Sequence, residues 1–276
     1  MNLYFSSTAG GSDSGDNAGC WFEDSGFTTL HNAVPTTGDQ ANIYEGTCSG
    51  YSFTADEVIV YSGVTLLQVS SGQTLSQNVG IVTANGGTIT TNQTGGVVSN
   101  NESGGVIDSN IGTVTSNAGT VTVNQSGGIV VANTSGATVA YNVSGGVVTT
   151  NASGGTVTSN FGTTTTNNGT VTTNDSGGVV TTNSGTVTTN ASGGTVTTNA
   201  SGGVVTTNSG TVTTNASGGS VVNNGGTVTT NNGNVRLTGV ITGGSGTISA
   251  TATTNLASHT AGTNVTLPSG GGLVWW

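Results

Sequence analysis

The chain of 276 residues carries one basic residue, Arg236, against 11 acids, for a formal net charge of −10, and 49 of its residues are Gly. A single cation leaves no electrostatic footprint for DNA or RNA, and no apolar run approaches the ~20 residues of a membrane-spanning helix, so neither nucleic-acid binding nor membrane insertion is expected. Only 4% of residues are charged, while β-branched Val and Thr recur on a fixed frame, a pattern opposite to that of a charge-rich disordered chain.

Residues 1–62 differ in kind from the rest of the chain: they hold 8 of the 11 acids, both Cys and four of the five Tyr. They read as a separate N-terminal cap or attachment domain. Met1-Asn2-Leu3-Tyr4-Phe5 lacks the basic start and apolar run of a signal peptide, so export by the classical route is not expected. Ser12-Asp13-Ser14-Gly15-Asp16-Asn17 sets oxygen donors at short spacing in a Gly-containing loop, which makes Asp13, Asp16 and Asn17 a candidate Ca²⁺ site; the bidentate Glu that closes an EF-hand loop is missing, and a solvated acidic loop is the plain alternative. Cys20 and Cys48 are either a disulfide or two buried thiols, and they are too few, even with His31, for a four-ligand zinc site.

Within the same segment, Trp21-Phe22-Glu23-Asp24 is followed by Ala33-Val34-Pro35-Thr36-Thr37-Gly38-Asp39-Gln40-Ala41-Asn42-Ile43. Together they resemble the "W…D, then LPTxxDxVxI" opening seen ahead of repetitive β-rich domains in phage fibre proteins and bacterial surface proteins. Val34 stands where Leu is usual, and Gln40-Ala41-Asn42 interrupts the alternation. The resemblance covers about 25 residues. It implies a structural, surface-contact setting and carries over no functional residue.

From Asp56 the alternation Val58, Val60, then Val64, Leu66 predicts the first strands, leading into a repeat that governs residues 63–238. A five-residue phrase typified by Thr170-Val171-Thr172-Thr173-Asn174 ends on Asn at twenty positions from Asn78 to Asn231, among them Asn151, Asn160, Asn174, Asn190, Asn199, Asn208 and Asn215, and every step between neighbours is 7 or 9. The second slot is apolar in every phrase except Thr163–Asn167, where it is Thr164, and therefore faces a core. Strand alternation then turns slots one and three outward and slot four inward, at a partly enclosed corner.

Between phrases stand two residues ending in Gly, or four, usually x-Ser-Gly-Gly. Positive φ at Gly or Asn would form such corners, and an insertion of two leaves the next strand's inward face unchanged where an insertion of one inverts it. Short strands with one apolar strip become stable by stacking. The expected fold is thus all-β, a parallel β-solenoid of stacked five-residue strands with a small β-rich N-terminal cap and a β-rich C-terminal segment, 239–276. Asn side chains would form a structural ladder along the axis or occupy a left-handed corner, and the coil would have two or three sides.

After Thr238 the rhythm loosens into Thr247–Thr251 and Asn264–Pro268 and ends on Leu273, Val274, Trp275 and Trp276. Four apolar residues behind Gly270-Gly271-Gly272 either plug the end of the stack or dock on another subunit, and assembly is the preferred reading.

The repeat offers few groups for catalysis: Glu102, Asp108, Asp175 and Arg236. Glu102 and Asp108 lie in successive phrases, where a carboxylate pair could flank a glycosidic bond, but two solvated acids are the simpler account and no enzyme is expected. The leading expectation is a structural fibre or spike of a virion, from the phage resemblance, with other virion proteins and a host-surface receptor (glycan or protein) as partners and a homo-oligomer such as a trimer as its assembly. A bacterial surface adhesin is one alternative. Ice binding is another, because ten phrases carry Thr in both outward slots and such Thr-x-Thr ladders resemble those of antifreeze β-solenoids. No cofactor is expected beyond the candidate Ca²⁺.

Overall fold

The computed structural model describes residues 1–7, 14–31, 33–53, 55–237, 240–241, 247–250 and 265–266, with side chains as far as residue 235. Asp13 and the terminal Leu273, Val274, Trp275 and Trp276 lie outside the described residues. The chain is a parallel β-solenoid, and it divides into two units, Met1–Ala132 and Asn133–Trp276.

In each unit, successive phrases alternate between two sheets. In the first unit, Val97–Asn101 pairs in parallel with Ile81–Asn85 on one side and Thr113–Asn117 on the other, each two phrases away, while Val106–Asn110 pairs with Thr88–Asn92 and Thr120–Asn124. One coil is therefore two phrases, which settles the number of sides at two. In the second unit one sheet runs from Thr138–Asn142 through Thr156–Asn160, Thr170–Asn174, Thr186–Asn190 and Val204–Asn208 to Ser220–Asn224. The other runs from Val147–Asn151 through Thr163–Asn167, Val179–Asn183, Thr195–Asn199 and Thr211–Asn215 to Thr227–Asn231. Coils of 14, 16 and 18 residues stack without a change of register, because corners of two and of four residues both return the chain to the same face.

The second slot of each phrase is buried, so apolar side chains stack between the sheets within each unit, from Leu75 to Val130 in the first and from Val139 to Val235 in the second. Thr164 is the exception foreseen from the sequence: it lies between Val148 and Val180 in register, is fully buried, and its hydroxyl has no partner among the described residues. Thr164→Val is expected to raise stability by about 1–2 kcal/mol, since it continues the Val column and removes an unmade hydrogen bond at nearly constant volume. A thermal melt checks this; a lower melting temperature would mean the hydroxyl is bonded in solution.

Slot four departs from the expectation. Strict alternation would bury it, yet the typical burial order is half-buried, buried, exposed, half-buried, buried, so that slot five is the second inward position. The ladder gives the reason: pairing joins slots one, two, four and five and omits slot three, as in Thr195↔Thr211, Val196↔Val212, Thr198↔Thr214 and Asn199↔Asn215. The strand bends at slot three, slots three and four both look outward, and the phrase-ending Asn turns in. Tyr141, a slot-four residue 51% exposed, is accommodated for this reason.

The N-terminal segment is built on the same stack and is more regular than its sequence suggests. Asn2–Ser6 lies parallel to Gln40–Glu45, which pairs with Glu57–Val60, which pairs with Thr74–Asn78. Thr65–Val69 similarly joins Thr47–Cys48 to Ile81–Asn85. Beyond Asn2–Ser6 the ladder turns antiparallel: Trp21–Phe22 pairs with it and then bridges to Leu30, so the open edge of the parallel sheet is covered. Trp21 is fully buried against Phe5 and Phe53, at ring distances of 5.4 and 5.3 Å, and its indole N–H donates to the Gly15 carbonyl at 2.7 Å. In 239–276 the described strands are Val240–Ile241, Thr247–Ala250 and Val265–Thr266, each parallel to a preceding strand.

Candidate functional site

Three positions of the typical phrase-plus-corner unit point inward: the slot-two residue, apolar except at Thr164, the slot-five Asn, and the residue before the next strand, which is Gly except at Ala137. The Asn side chains form ladders. Asn151, Asn167, Asn183, Asn199, Asn215 and Asn231 make one in the second unit, each Nδ2 donating to the next Oδ1 at 2.7–2.8 Å. Asn142, Asn160, Asn174, Asn190, Asn208 and Asn224 make the other, at 2.6–2.8 Å. The second amide hydrogen goes to backbone: Asn151 Nδ2 donates to the Thr170 carbonyl at 3.1 Å, and Asn199 Nδ2 to the Ser220 carbonyl at 3.1 Å. All these amides point the same way along the axis, so each polarises the next.

No Asn in the ladders has positive φ; among the described residues only Phe27 and certain Gly do. Of the two roles open to Asn from the sequence, the ladder is therefore the one adopted. In the first unit the ladders begin at Asn78 and Asn85, which sit in register with Val60 and Val69, and both first Oδ1 atoms lack a partner among the described residues.

Many phrase ends form Asn-x-Ser/Thr sequons, as at Asn151-Ala152-Ser153. Nδ2 is the atom a glycan would take, and at Asn151 it is buried and donates to Asn167 Oδ1 and to the Gly155 and Thr170 carbonyls. Expression through a glycosylating pathway is thus expected to give chains that carry sugar and fail to fold, recognised by mass increase and loss of the β-type circular dichroism spectrum. Normal folding with occupied sequons would contradict the buried ladder.

The acids of the N-terminal segment are turn organisers. Asp24 accepts hydrogen bonds from the N–H groups of Gly26, Thr28 and Thr29, tying the loop after Trp21–Phe22. Asp39 accepts from Thr36 N–H and Oγ1 at 2.9 and 3.0 Å, and the Thr36 N–H holds its carboxyl below the usual carboxylate range. The "W…D" and "PTxxD" parts of the resemblance are therefore two turns that deliver strands.

Of the Ca²⁺ candidates, Asp16 accepts from Ser52 N–H at 2.7 Å and Asn17 from Gly19 N–H at 3.0 Å, where it caps the short helix Ala18–Cys20. These contacts give both residues a structural task. No group of three or more His, Cys, Asp or Glu that could hold a metal occurs among the described residues. Cys20 and Cys48 are both fully buried and are thiols, not a disulfide; Cys48 Sγ lies 3.4 Å from the Gly50 carbonyl.

Glu102 stands in the corner after Val97–Asn101, whereas Asp108 is mid-strand in Val106–Asn110, in the other sheet. Stacking does not pair them. A cavity of about 200 Å³ is lined by Tyr51, Phe53, Ala55, Val58, Gly72, Gln73 and Thr74, and Tyr51 Oη donates to the Thr74 carbonyl at 2.8 Å across it. Burial pushes the Tyr51 phenol far above its ordinary range, so it is a neutral hydrogen-bond donor and not a base.

With the interior committed to structure, the outward slots, the corners and the N-terminal aromatics are the surfaces open to other molecules among the described residues. Tyr44 is 40% exposed and packs against Tyr4 at 5.7 Å, Tyr61 at 5.0 Å and Phe27 at 6.2 Å. Sequence reasoning missed this cluster, because its members come from separated stretches that only strand stacking brings together. Among the described residues, no helix is long and apolar enough to cross a membrane. Comparison with protein-family models, curated proteins and solved structures gives no match to this chain.

Proposed function

We propose that the chain is a structural fibre or spike protein of a virion, a bacteriophage in the first place, serving as a stiff appendage that assembles with other virion proteins and contacts a host-surface glycan or protein. The observation that carries this reading is the commitment of the inward side chains to in-register stacks and ladders, which makes a repeat-extended scaffold stiff and leaves for contact outward slots that are uncharged except at Asp108 and Arg236. The N-terminal segment supports it: an aromatic cap of different composition suits one end for attachment, in keeping with the resemblance to segments that precede repetitive domains of phage fibres.

A mass-spectrometric count of the chain in purified particles tests the proposal. Recovery at a fixed copy number per particle is expected. Absence from particles, with the chain in the cell-envelope fraction of a bacterium, would replace it by the surface-adhesin reading.

A further inference from the structure

The repeat is nearly bare of aromatic and charged side chains. Between Leu75 and Val235 the chain has two aromatic residues, Tyr141 and Phe161, and the second unit contains one acid, Asp175. Stacking brings these three together at one edge. Tyr141 is the slot-four residue of Thr138–Asn142 and stands in register with Ser159, which stands in register with Thr173. The corner residues after the same three strands, Val143, Phe161 and Asp175, follow the same ladder, since Phe161 N donates to the Asn142 carbonyl at 2.8 Å and Asp175 N to the Asn160 carbonyl at 2.9 Å. Successive coils thus carry a column Tyr141, Ser159, Thr173 beside a column Val143, Phe161, Asp175.

The fold does not demand these residues. Tyr141 is 51% and Phe161 40% exposed, and neither belongs to the apolar stack. From Val147 to Asn231, slot four holds only Ser, Thr or Asn, and the corners that follow Asp175 along this edge begin with Ala191 and Ser209. The Tyr141 hydroxyl and the Asp175 carboxylate make no hydrogen bond among the described residues. Burial holds the Asp175 carboxyl above its ordinary range, so folding has already removed part of its water. Two open rings and a partly desolvated acid without a partner are groups left for a ligand.

We infer that this edge binds a neutral glycan, with Tyr141 and Phe161 as platforms for sugar rings and Asp175 as acceptor of sugar hydroxyls. The two aromatic residues are diagonal neighbours on adjacent coils, their backbones about 8 Å apart, so that one short oligosaccharide reaches both. A pyranose offers an apolar C–H face that suits an aromatic ring, and a pair of neighbouring hydroxyls that can donate to the two oxygens of one carboxylate. Charge narrows the class. The single base, Arg236, lies four strands beyond Asp175 in the same sheet, and the chain has a net charge of −10, so sialylated, sulfated and phosphorylated sugars are repelled. Size speaks against a protein partner: the open parts of the two aromatic residues come to roughly 200 Å², against the ~800 Å² that each member of a stable protein complex buries. The inference rests on the proposed surface contact for its biological setting. Particles that contain a chain blind to glycans would overturn the inference alone, whereas glycan binding by a chain absent from particles would keep the site and remove the virion.

The full-length protein is applied to immobilised oligosaccharides of neutral hexoses and N-acetylhexosamines, with sialylated and sulfated ones beside them, and calorimetry measures affinity for the best-retained neutral oligosaccharide. Tyr141→Thr with Phe161→Ala installs side chains that equivalent positions carry on other coils, and Asp175→Asn keeps the shape of that side chain while removing its charge. The parent is expected to bind a neutral oligosaccharide, Asp175→Asn to bind it about tenfold more weakly, and the double variant more weakly still, each with the melting temperature of the parent. Thr207→Ala, two coils beyond Thr173 on the same sheet, should bind as the parent does. Retention of no neutral oligosaccharide by the parent overturns the inference, as does a preference for the acidic ones or an unchanged affinity in either variant of the edge. Light scattering on the same samples supplies one more outcome: a parent oligomer that the double variant dissolves would assign the edge to contact between copies of the chain and overturn the glycan site. Should the double variant not fold, Asp175→Asn decides alone.

Discussion

Asn199→Ala is expected to cost about 3 kcal/mol, whereas Asn78→Val at a ladder's end should cost about 1 kcal/mol, although both Asn are fully buried. Removing the Asn199 amide strands Asn215 Oδ1 above it, leaves Asn183 Nδ2 short of an acceptor below it, and frees the Ser220 carbonyl. A buried polar group left without a partner costs about 1–3 kcal/mol, and Ala adds a small cavity. At Asn78 the count differs. Its Oδ1 is already without a partner, so Asn78→Val moves that defect one step up to Asn92 Oδ1 and gives up the bond to the Val97 carbonyl, while Val continues the apolar residue beneath it, Val60.

Asn208 belongs to the other ladder, between Asn190 and Asn224. Asn199→Ala combined with Asn208→Ala therefore breaks both ladders of the second unit, and about 6 kcal/mol is expected. Because each coil touches only its neighbours, such a double break should split a single melting transition into two. Calorimetry on the three variants checks the order; equal costs for Asn78 and Asn199 would show that the amides do not act as a chain.

The stacking plan was legible in the sequence because a period of 7 or 9 in Asn, with an apolar residue three places earlier, has few solutions besides a stack of short strands. The number of sides was not, since two-phrase and three-phrase coils bury the same slots, and only pairing such as Val98↔Val114 distinguishes them. Alternation misplaces slot four because it assumes a straight strand, and nothing in Thr-Val-Thr-Thr-Asn marks the bend at its third residue. Consecutive burial at Val58, Ile59 and Val60 similarly breaks the alternation read there. The strands Asn2–Ser6 and Gln40–Glu45 escape a reading by period because they lie outside the frame, and their place in the sheet is fixed by long-range pairing.

Corner glycine has one role by its sequence pattern and two in the structure, and the difference sets the second large effect. In the corner Ala200-Ser201-Gly202-Gly203, Gly202 has φ +81° and open space where a Cβ would stand, its nearest neighbour being the Ser184 carbonyl oxygen at 3.8 Å. Gly203 lacks positive φ, yet a Cβ there would lie 2.2 Å from the Asn183 carbonyl oxygen and 2.5 Å from Asn199 Oδ1. The first glycine answers to backbone conformation, the second to the approach of the adjacent coil. Gly202→Ala should then cost about 1–2 kcal/mol, the penalty of a left-handed L-residue, and Gly202→Asn less, because Asn visits that region more readily. For Gly203→Ala about 3–5 kcal/mol is expected: the atoms in the way are backbone and a ladder amide, so the coils must part, weakening the bonds Ala200 N to Asn183 O and Val204 N to Gly185 O that hold them. The same reasoning covers two-residue corners, where the lone Gly185 would set a Cβ 2.1 Å from the Gly169 carbonyl oxygen and has no left-handed φ. Thermal melts of Gly202→Ala, Gly202→Asn, Gly203→Ala and Gly185→Ala give the test. The two close-approach variants should fall well below the other two, and a Gly202→Ala that costs as much as Gly203→Ala would mean that conformation, not contact between coils, is what every corner glycine supplies.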